Sequence, residues 1–363
     1  MDKLPALHVL SLPHTSTTWD FGWCAYTMKA LKLARMMDKL GYRVYLYGST
    51  ESDFENTVPC VLAPPTNKVS YPEWTVPYFS AMNEHIITKM GKLIEPGDII
   101  CMTTGWPQKP VMDAFPENAS VEYGIGYSGV CANFQVYESY AWMHAVYAYH
   151  KGHERNPEEH VGNMTGRFYD AVIPNYFEVD QFPKGHGQGN YLLFIGRMTD
   201  LKGWRIAVET AERTGLDLIM AGQYDDSVVQ LPSHVTHTGM VGPEERAGLM
   251  GNARAVMVPT LYLEPFGGVN VEAQLCGTPV ITTDWGGFPE TVEQGKTGYR
   301  CRTMPEFEKA VWDVQSLNRQ YIRKHAIATW SSDVIALQYD TYFKRLMGLS
   351  DGSGGFNAKL QSI

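Results

Sequence analysis

Short apolar runs recur along the chain, each closed by glycine, proline or polar residues and followed by a stretch with helical spacing. In the first half, residues 7–12, 43–47, 58–62, 98–102 and 120–123 read as strands, with a helix over 23–40 ended by Gly41 and another over 78–93. An aromatic-rich segment, 136–150, reads as a helix, 151–166 as a polar connection, and 171–173 as a strand. The alternation restarts after a proline- and glycine-rich stretch, 174–189. Strands are expected at 191–195, 216–220, 235–238, 255–259, 279–282 and 298–301. Helices are expected from Trp204 to about 213 and over 244–250, 269–276, 305–316, 318–329 and 332–347. Strand–helix–strand alternation of this kind builds parallel α/β sheets, whose ligands sit at the C-terminal ends of the strands.

One turn in the second half concentrates chemistry. Glu264-Pro265-Phe266-Gly267-Gly268-Val269-Asn270-Val271-Glu272 joins an expected strand directly to an expected helix. Such a junction leaves N–H groups without in-helix acceptors, and with the helix dipole behind them they favour an anion. Gly267 and Gly268 lack a Cβ, so a phosphate can come close to the backbone from Phe266 to Val269. Glu272 lies one turn after Gly268 on the same face, about 6 Å along the axis, a reach that suits ribose hydroxyls. Glu264 stands just before the turn, near whatever lies beyond the phosphates. Arg197 and Lys202 follow the first strand of this half and belong to the same sheet edge. A forked guanidinium and an ammonium facing a helix start make a diphosphate site. Singly, each of these is an ordinary surface charge; together they point to phosphate binding.

Composition narrows the classes. A length of 363 residues suits two domains, and 44% hydrophobic content suffices for ordinary cores. A formal net charge of −9 supplies no general field for nucleic acid. Six scattered cysteines form no Cys-x-x-Cys pair, so a zinc site or disulfide framework is not expected. No signal-peptide pattern and no apolar run long enough to span a bilayer are present, which predicts a cytoplasmic protein without a transmembrane segment. Asn118 and Asn163, each in an Asn-x-Ser/Thr triplet, then count as chance matches.

Further candidates for ligand-facing residues come from the first half. The loop 13–22 carries His14, several hydroxyl residues, Trp19 and Asp20. Residues 103–106, Thr-Thr-Gly-Trp, follow an expected strand. Residues 124–129 form a glycine- and tyrosine-bearing loop in which Gly126 and Tyr127 are placed to let an acceptor approach the backbone. His144 sits in an apolar sequence neighbourhood that favours a hydrogen-bonded core histidine.

Gly196-Arg197, Lys202-Gly203, Gly239 to Gly242, the 264–272 turn and Gly286-Gly287-Phe288-Pro289-Glu290 resemble, in order and spacing, the donor-site motifs of the family-4 retaining glycosyltransferases. Ile173-Pro174-Asn175 resembles that family's interdomain boundary. The resemblance covers about 171–301. It implies a GT-B fold, two Rossmann-like doubly wound domains facing a cleft. The domains would be 1–174 on the acceptor side and 175–330 on the nucleotide-sugar side. A helix at 331–348 would return to the first domain, and 349–363 would be a disordered tail. It further implies that Arg197 and Lys202 neutralise the diphosphate, Glu272 holds the ribose, and Glu264 with the amides of Phe266 to Val269 positions the sugar and phosphate. The segment at Met240 and Val241 would contact the base.

The activity implied is retaining, metal-independent hexosyl transfer (EC 2.4) from a UDP- or GDP-linked sugar to a hydroxyl, with no cofactor. The acceptor is a saccharide or a lipid-linked glycan, with modified nucleic acid ranked below them. The rivals are a nucleotide-sugar epimerase or hydrolase on the same fold, and a non-catalytic nucleotide-sugar-binding module. The first half departs from the family pattern. Trp19-Asp20-Phe21-Gly22 replaces the usual Gly-Gly pair, and no histidine lies near 103–106, so His14 and His144 are the substitutes.

Overall fold

The computed structural model of the protein describes residues 4–22, 24–60, 76–153, 166–223 and 230–350. Outside the described residues lie Trp23, the loop prolines 64, 65 and 72, Asn163 within the expected polar connection, the Asp225-Asp226 pair, and the tail from 351. In chain order the first half contains β1 (Ala6–Leu10), α1 (Ala25–Lys39), β2 (Arg43–Gly48), β3 (Thr57–Pro59), α2 (Val76–Met90) and β4 (Ile99–Met102). It continues with α3 (Lys109–Ala114), β5 (Ala119–Ile125), β6 (Phe134–Tyr137), α4 (Tyr140–His153) and β7 (Ala171–Val172). Then follow β8 (Tyr191–Ile195), α5 (Trp204–Thr214), β9 (Asp217–Ala221), β10 (Val235–His237), α6 (Pro243–Asn252) and β11 (Ala255–Val258). The last elements are α7 (Gly268–Leu275), β12 (Val280–Thr283), α8 (Phe288–Thr291), β13 (Gly298–Cys301), α9 (Met304–Asp313), α10 (Arg319–Trp330) and α11 (Ser332–Ser350).

The chain divides into two compact units. Met1–Glu138, Ala145–Ile173 and Ala336–Ile363 form the first, and Ser139–His144 with Pro174–Ile335 form the second. The first holds a seven-stranded sheet ordered β3-β2-β1-β4-β5-β6-β7, and the second a six-stranded sheet ordered β10-β9-β8-β11-β12-β13. Every strand pairing is parallel. Both sheets are doubly wound: the order reverses between β1 and β4 in the first and between β8 and β11 in the second.

Burial on both faces explains why the strands read as near-continuous apolar runs. In the second unit, Leu193, Val256, Val258 and Val280 pack with residues of α6, α7 and α10 on one face. Their strand neighbours Leu192, Phe194, Ala255, Met257 and Ile281 pack with α5 and α9 on the other, as the period of two requires. In the first unit, Leu10, Tyr47, Ile100 and Met102 pack against Met82, Ile86 and Met90 of α2 and Val111 of α3. Part of α11 belongs to the first unit: the Tyr42 hydroxyl donates to Asp340 at 2.8 Å and the Tyr342 hydroxyl to the Tyr169 carbonyl at 2.9 Å.

Two expectations are corrected here. The segment 136–150 is not one helix. Residues 134–137 form β6, paired with β5 and β7, and helix begins only at Tyr140. Phe-Gln-Val-Tyr is β-prone, and its pairing with two distant strands outweighs the helical spacing that the following residues continue. Strand β5 also runs on to Ile125, with a register shift between Glu122 and Ile125. There Gly124 adopts φ +59, and a Cβ on it would lie 3.0 Å from Cδ of the buried Lys29. Lys29 Nζ donates to the Gly124 carbonyl at 2.6 Å and pairs with Glu138 at 3.0 Å. Gly124 thus makes room for a buried lysine, which a loop reading does not anticipate.

Candidate functional site

In the second unit the loops after β8 and β11 flank the strand-order reversal, the place where open parallel sheets bind ligands. Arg197 and Lys202 come from the first loop, and Glu264 with Phe266, Gly267, Gly268 and Val269 from the second. The two loops are joined by a hydrogen bond from Leu261 N–H to the Leu201 carbonyl at 2.8 Å. Gly203 makes the approach possible: its φ is +71, and a Cβ there would lie 1.9 Å from the Pro259 carbonyl oxygen.

Lys202 Nζ lies 2.9 Å from Glu264 Oε2, donates to the Tyr262 hydroxyl, and sits 4.8 Å from the centroid of that ring. Both charged side chains are largely buried, at 26% and 12% exposure, so their charges are weakly screened. The cation and the carboxylate, eight positions from Glu272 in sequence, therefore meet at one point. Arg197 is exposed on the same loop.

The turn at 264–268 is held from beneath. Gly267 is left-handed at φ +83, and α7 starts directly after it. Asn270, fully buried, donates from Nδ2 to the Gly267 carbonyl at 2.7 Å and to the Thr291 hydroxyl at 3.1 Å. Gln274 then donates to Asn270 Oδ1 at 2.8 Å and to the Thr291 carbonyl at 2.9 Å. The Gly287 N–H donates to the Glu264 carbonyl at 2.7 Å. The segment that carries the Gly286-to-Glu290 motif thus ends in the short helix α8 and buttresses the turn.

Glu272 sits one turn into α7, where Arg246 of α6 reaches within 3.5 Å of it. Met240, exposed, and Val241 lie on the connection between β10 and α6, next to left-handed Gly239. Sequence reasoning missed Tyr262, Arg246, Asn270, Gln274 and Thr291. Nothing local distinguishes them, because Tyr262 acts on Lys202, Arg246 on Glu272, and Asn270 and Gln274 on Thr291, partners brought close by folding.

Acceptor-side candidates separate. His14 Nε2 lies 3.6 Å from Cys24 Sγ, and burial lowers its imidazole pKa below the ordinary value. Tyr127 donates its hydroxyl to the fully buried Glu122 at 2.7 Å; burial first, then the charge of Glu122, raises the phenol well above its ordinary range. Gly126 is half-buried beside it. His144 is not a core histidine. It is exposed, tilted against Tyr140 at 6.3 Å, and belongs to the short segment that groups with the second unit. In that segment Ser139 donates to the Pro265 carbonyl at 2.5 Å, and Glu290 accepts from the N–H groups of Tyr140 and Ala141 at 2.9 Å. All six cysteines are free. Among the described residues no group of acidic, histidine or cysteine side chains is arranged to hold a metal ion. Among them also, no helix is long and apolar enough to cross a membrane.

Two doubly wound, all-parallel units of this order define the GT-B architecture. Residues 189–315, within the second unit, match the family model described as Glycosyl transferases group 1. The D-inositol 3-phosphate glycosyltransferase of Arthrobacter sp. (strain FB24) is 37% identical over 125 residues, covering 30% of this chain and 30% of that protein. The chain therefore aligns with about a third of that relative's length. Among solved structures, AviGT4, a glycosyltransferase involved in avilamycin A biosynthesis, superposes with a TM-score of 0.68 at 20% identity, covering 95% of this chain and 98% of its own. Anabaena Alr3699/HepE in complex with UDP and glucose superposes at 0.66 and 15% identity, covering 94% and 99%.

Proposed function

We propose that the protein transfers a sugar, with retention and without a metal ion, from a nucleoside-diphosphate donor to a hydroxyl acceptor. The observation that carries this reading is the Lys202–Glu264 pair, 2.9 Å apart in front of the glycine-opened start of α7. The diphosphate lies against the N–H groups of Gly268 and Val269, with Lys202 and Arg197 compensating its charge. Glu272 accepts from the ribose hydroxyls, Glu264 from hydroxyls of the sugar, and the backbone at Met240 and Val241 meets the base.

In transfer, the bond from the anomeric carbon to the phosphate oxygen breaks and that carbon bonds to the acceptor oxygen. The departing phosphate oxygen takes the acceptor proton, so no protein base is required. Preorganised cations and amides stabilise the charge that develops on the leaving group. The UDP named with the HepE structure supports UDP as the first donor nucleotide to try.

The test is binding and turnover together. UDP, GDP and ADP are titrated by calorimetry, and UDP- and GDP-sugars are assayed for nucleoside diphosphate release with and without added saccharides. Release that rises with a saccharide supports transfer. Release indifferent to any acceptor points to a hydrolase, and binding without release to a non-catalytic module. Failure to bind any nucleoside diphosphate overturns the reading.

A further inference from the structure

The first unit has a strand-order reversal of its own, between β1 and β4, and the donor residues do not use it. Its flanking loops are latched by one side chain. Buried Gln108 donates from Nε2 to the Ser11 carbonyl at 3.0 Å, after β1, and accepts at Oε1 from the N–H groups of Thr103 and Thr104 at 3.0 and 3.3 Å, after β4. Between these anchors sits Trp106, 56% exposed, an unusual state for a tryptophan on an otherwise fixed loop.

Several contacts fix it there. Gly105 is left-handed at φ +68, and a Cβ on it would lie 1.8 Å from the Gly129 carbonyl oxygen. The Trp106 N–H donates to that same carbonyl at 3.2 Å. The facing loop is ordered in turn by Glu122, fully buried, which accepts from the Tyr127 hydroxyl and from the N–H groups of Cys131 and Ala132 at 2.7, 2.8 and 3.0 Å. Lys109 Nζ stands 5.9 Å from the indole centroid, with its charge matched by Asp113. Two positions before Trp106 in the chain, the Thr104 hydroxyl is buried without a hydrogen-bond partner, a destabilising state unless a ligand satisfies it.

We propose that this reversal point binds the acceptor as a six-membered polyol ring, pyranose or cyclitol, stacked on Trp106. Such a ring presents a face of C–H groups that suits an indole π-face, and a rim of hydroxyls that suits Thr104 and the neighbouring backbone. A flexible alkyl chain has no use for a single planar platform beside an unmet hydroxyl. The inference rests on the glycosyltransferase reading, since it names the acceptor class for that site.

The experiment compares the full-length protein with Trp106→Phe, Trp106→Leu and Thr104→Val. Saturation-transfer NMR titrations use methyl α-D-glucopyranoside and myo-inositol as separate probes, and UDP binding is measured on each variant. The expected result is ring C–H saturation for at least one probe, retained by the Phe variant and about three- to tenfold weaker in the Leu variant. The Thr104→Val variant is expected to melt no lower than the native protein while binding the same probe more weakly. UDP affinity stays unchanged in all three. Absence of binding by both probes to the native protein, or equal binding by the Leu variant, overturns the proposal while UDP binding stands. Loss of UDP binding in the native protein instead overturns the donor reading. The probe that binds distinguishes pyranose from cyclitol.

Discussion

At the scale of single side chains, Lys202, the proposed diphosphate ligand, is also the partner of Glu264. Lys202→Ala and Arg197→Ala are each expected to weaken nucleoside diphosphate binding by about 1.5–3 kcal/mol, the value of a charged hydrogen bond, and to leave nucleoside binding nearly intact. Of the two, Lys202→Ala should cost more, since it also leaves the carboxylate of Glu264 uncompensated beside an anion. Isothermal titration with UDP and uridine checks both, and equal losses for the two ligands would count against diphosphate recognition. Glu272→Gln should raise KM more than it lowers kcat, because the ribose does not change during transfer, whereas Glu264→Gln should chiefly lower kcat. Steady-state kinetics on the two folded variants separate these outcomes.

Asp170 provides a pH prediction. Burial raises its carboxyl from 3.8 to about 6, against the opposing influence of Arg167 at 3.7 Å and the Tyr147 hydroxyl at 2.8 Å. Its folded value lies above its unfolded one, so its contribution to stability is full below pH about 4 and is lost as the pH rises through about 6. Asp170→Asn keeps an acceptor for Tyr147 and removes the titration. Urea midpoints of the variant and the native protein should therefore diverge in the variant's favour from pH about 4 to 7.

At the scale of elements, the junction between β11 and α7 depends on buried groups as much as on its visible glycines. A Cβ on Gly267 would lie 2.6 Å from Phe288 Cε1 and 2.8 Å from Asn270 Nδ2, with φ at +83. Gly267→Ala is expected to cost about 1–3 kcal/mol of stability from strain and displacement of this packed layer, and to weaken UDP binding further by moving the start of α7. Thermal melts with and without saturating UDP resolve the two effects. A variant as stable as the native protein and equally stabilised by UDP would remove the turn from the site. Helix ends elsewhere follow local chemistry: Asn318 accepts from the N–H groups of Gln320 and Tyr321, and Thr303 with Glu306 forms a capping box at α9.

At the scale of the whole molecule, the proposed reaction draws its charge compensation from the chain. If Lys202, Arg197 and the start of α7 compensate the diphosphate, a divalent ion is redundant. Turnover is expected to survive EDTA at undiminished kcat; activity abolished by chelator and restored by manganese would refute this. Saturating UDP at a hundred times its dissociation constant should add about 2.7 kcal/mol to the stability of the unit that binds it.

The α/β alternation, most strands and helices, and the glycine turn between β11 and α7 were legible in the sequence because each depends on neighbours along the chain. Apolar runs mark buried strands, and a glycine pair between strand and helix marks a phosphate-ready helix start. Even the cations were legible, since a residue following a parallel strand must emerge at the ligand edge. Tertiary structure decided the rest. Phe134 to Tyr137 became a strand because β5 and β7 lie on either side of it. Gly124 serves Lys29, and Glu122 orders its loop through donors up to ten positions away. Tyr262 meets Lys202, Arg246 meets Glu272, Asn270 meets Thr291, and His144 lies at the surface, through placements with no periodic trace in the chain. Spacing along a sequence reports the period of an element, whereas the pairing of a buried charge or a buried amide is known only once distant segments share a volume.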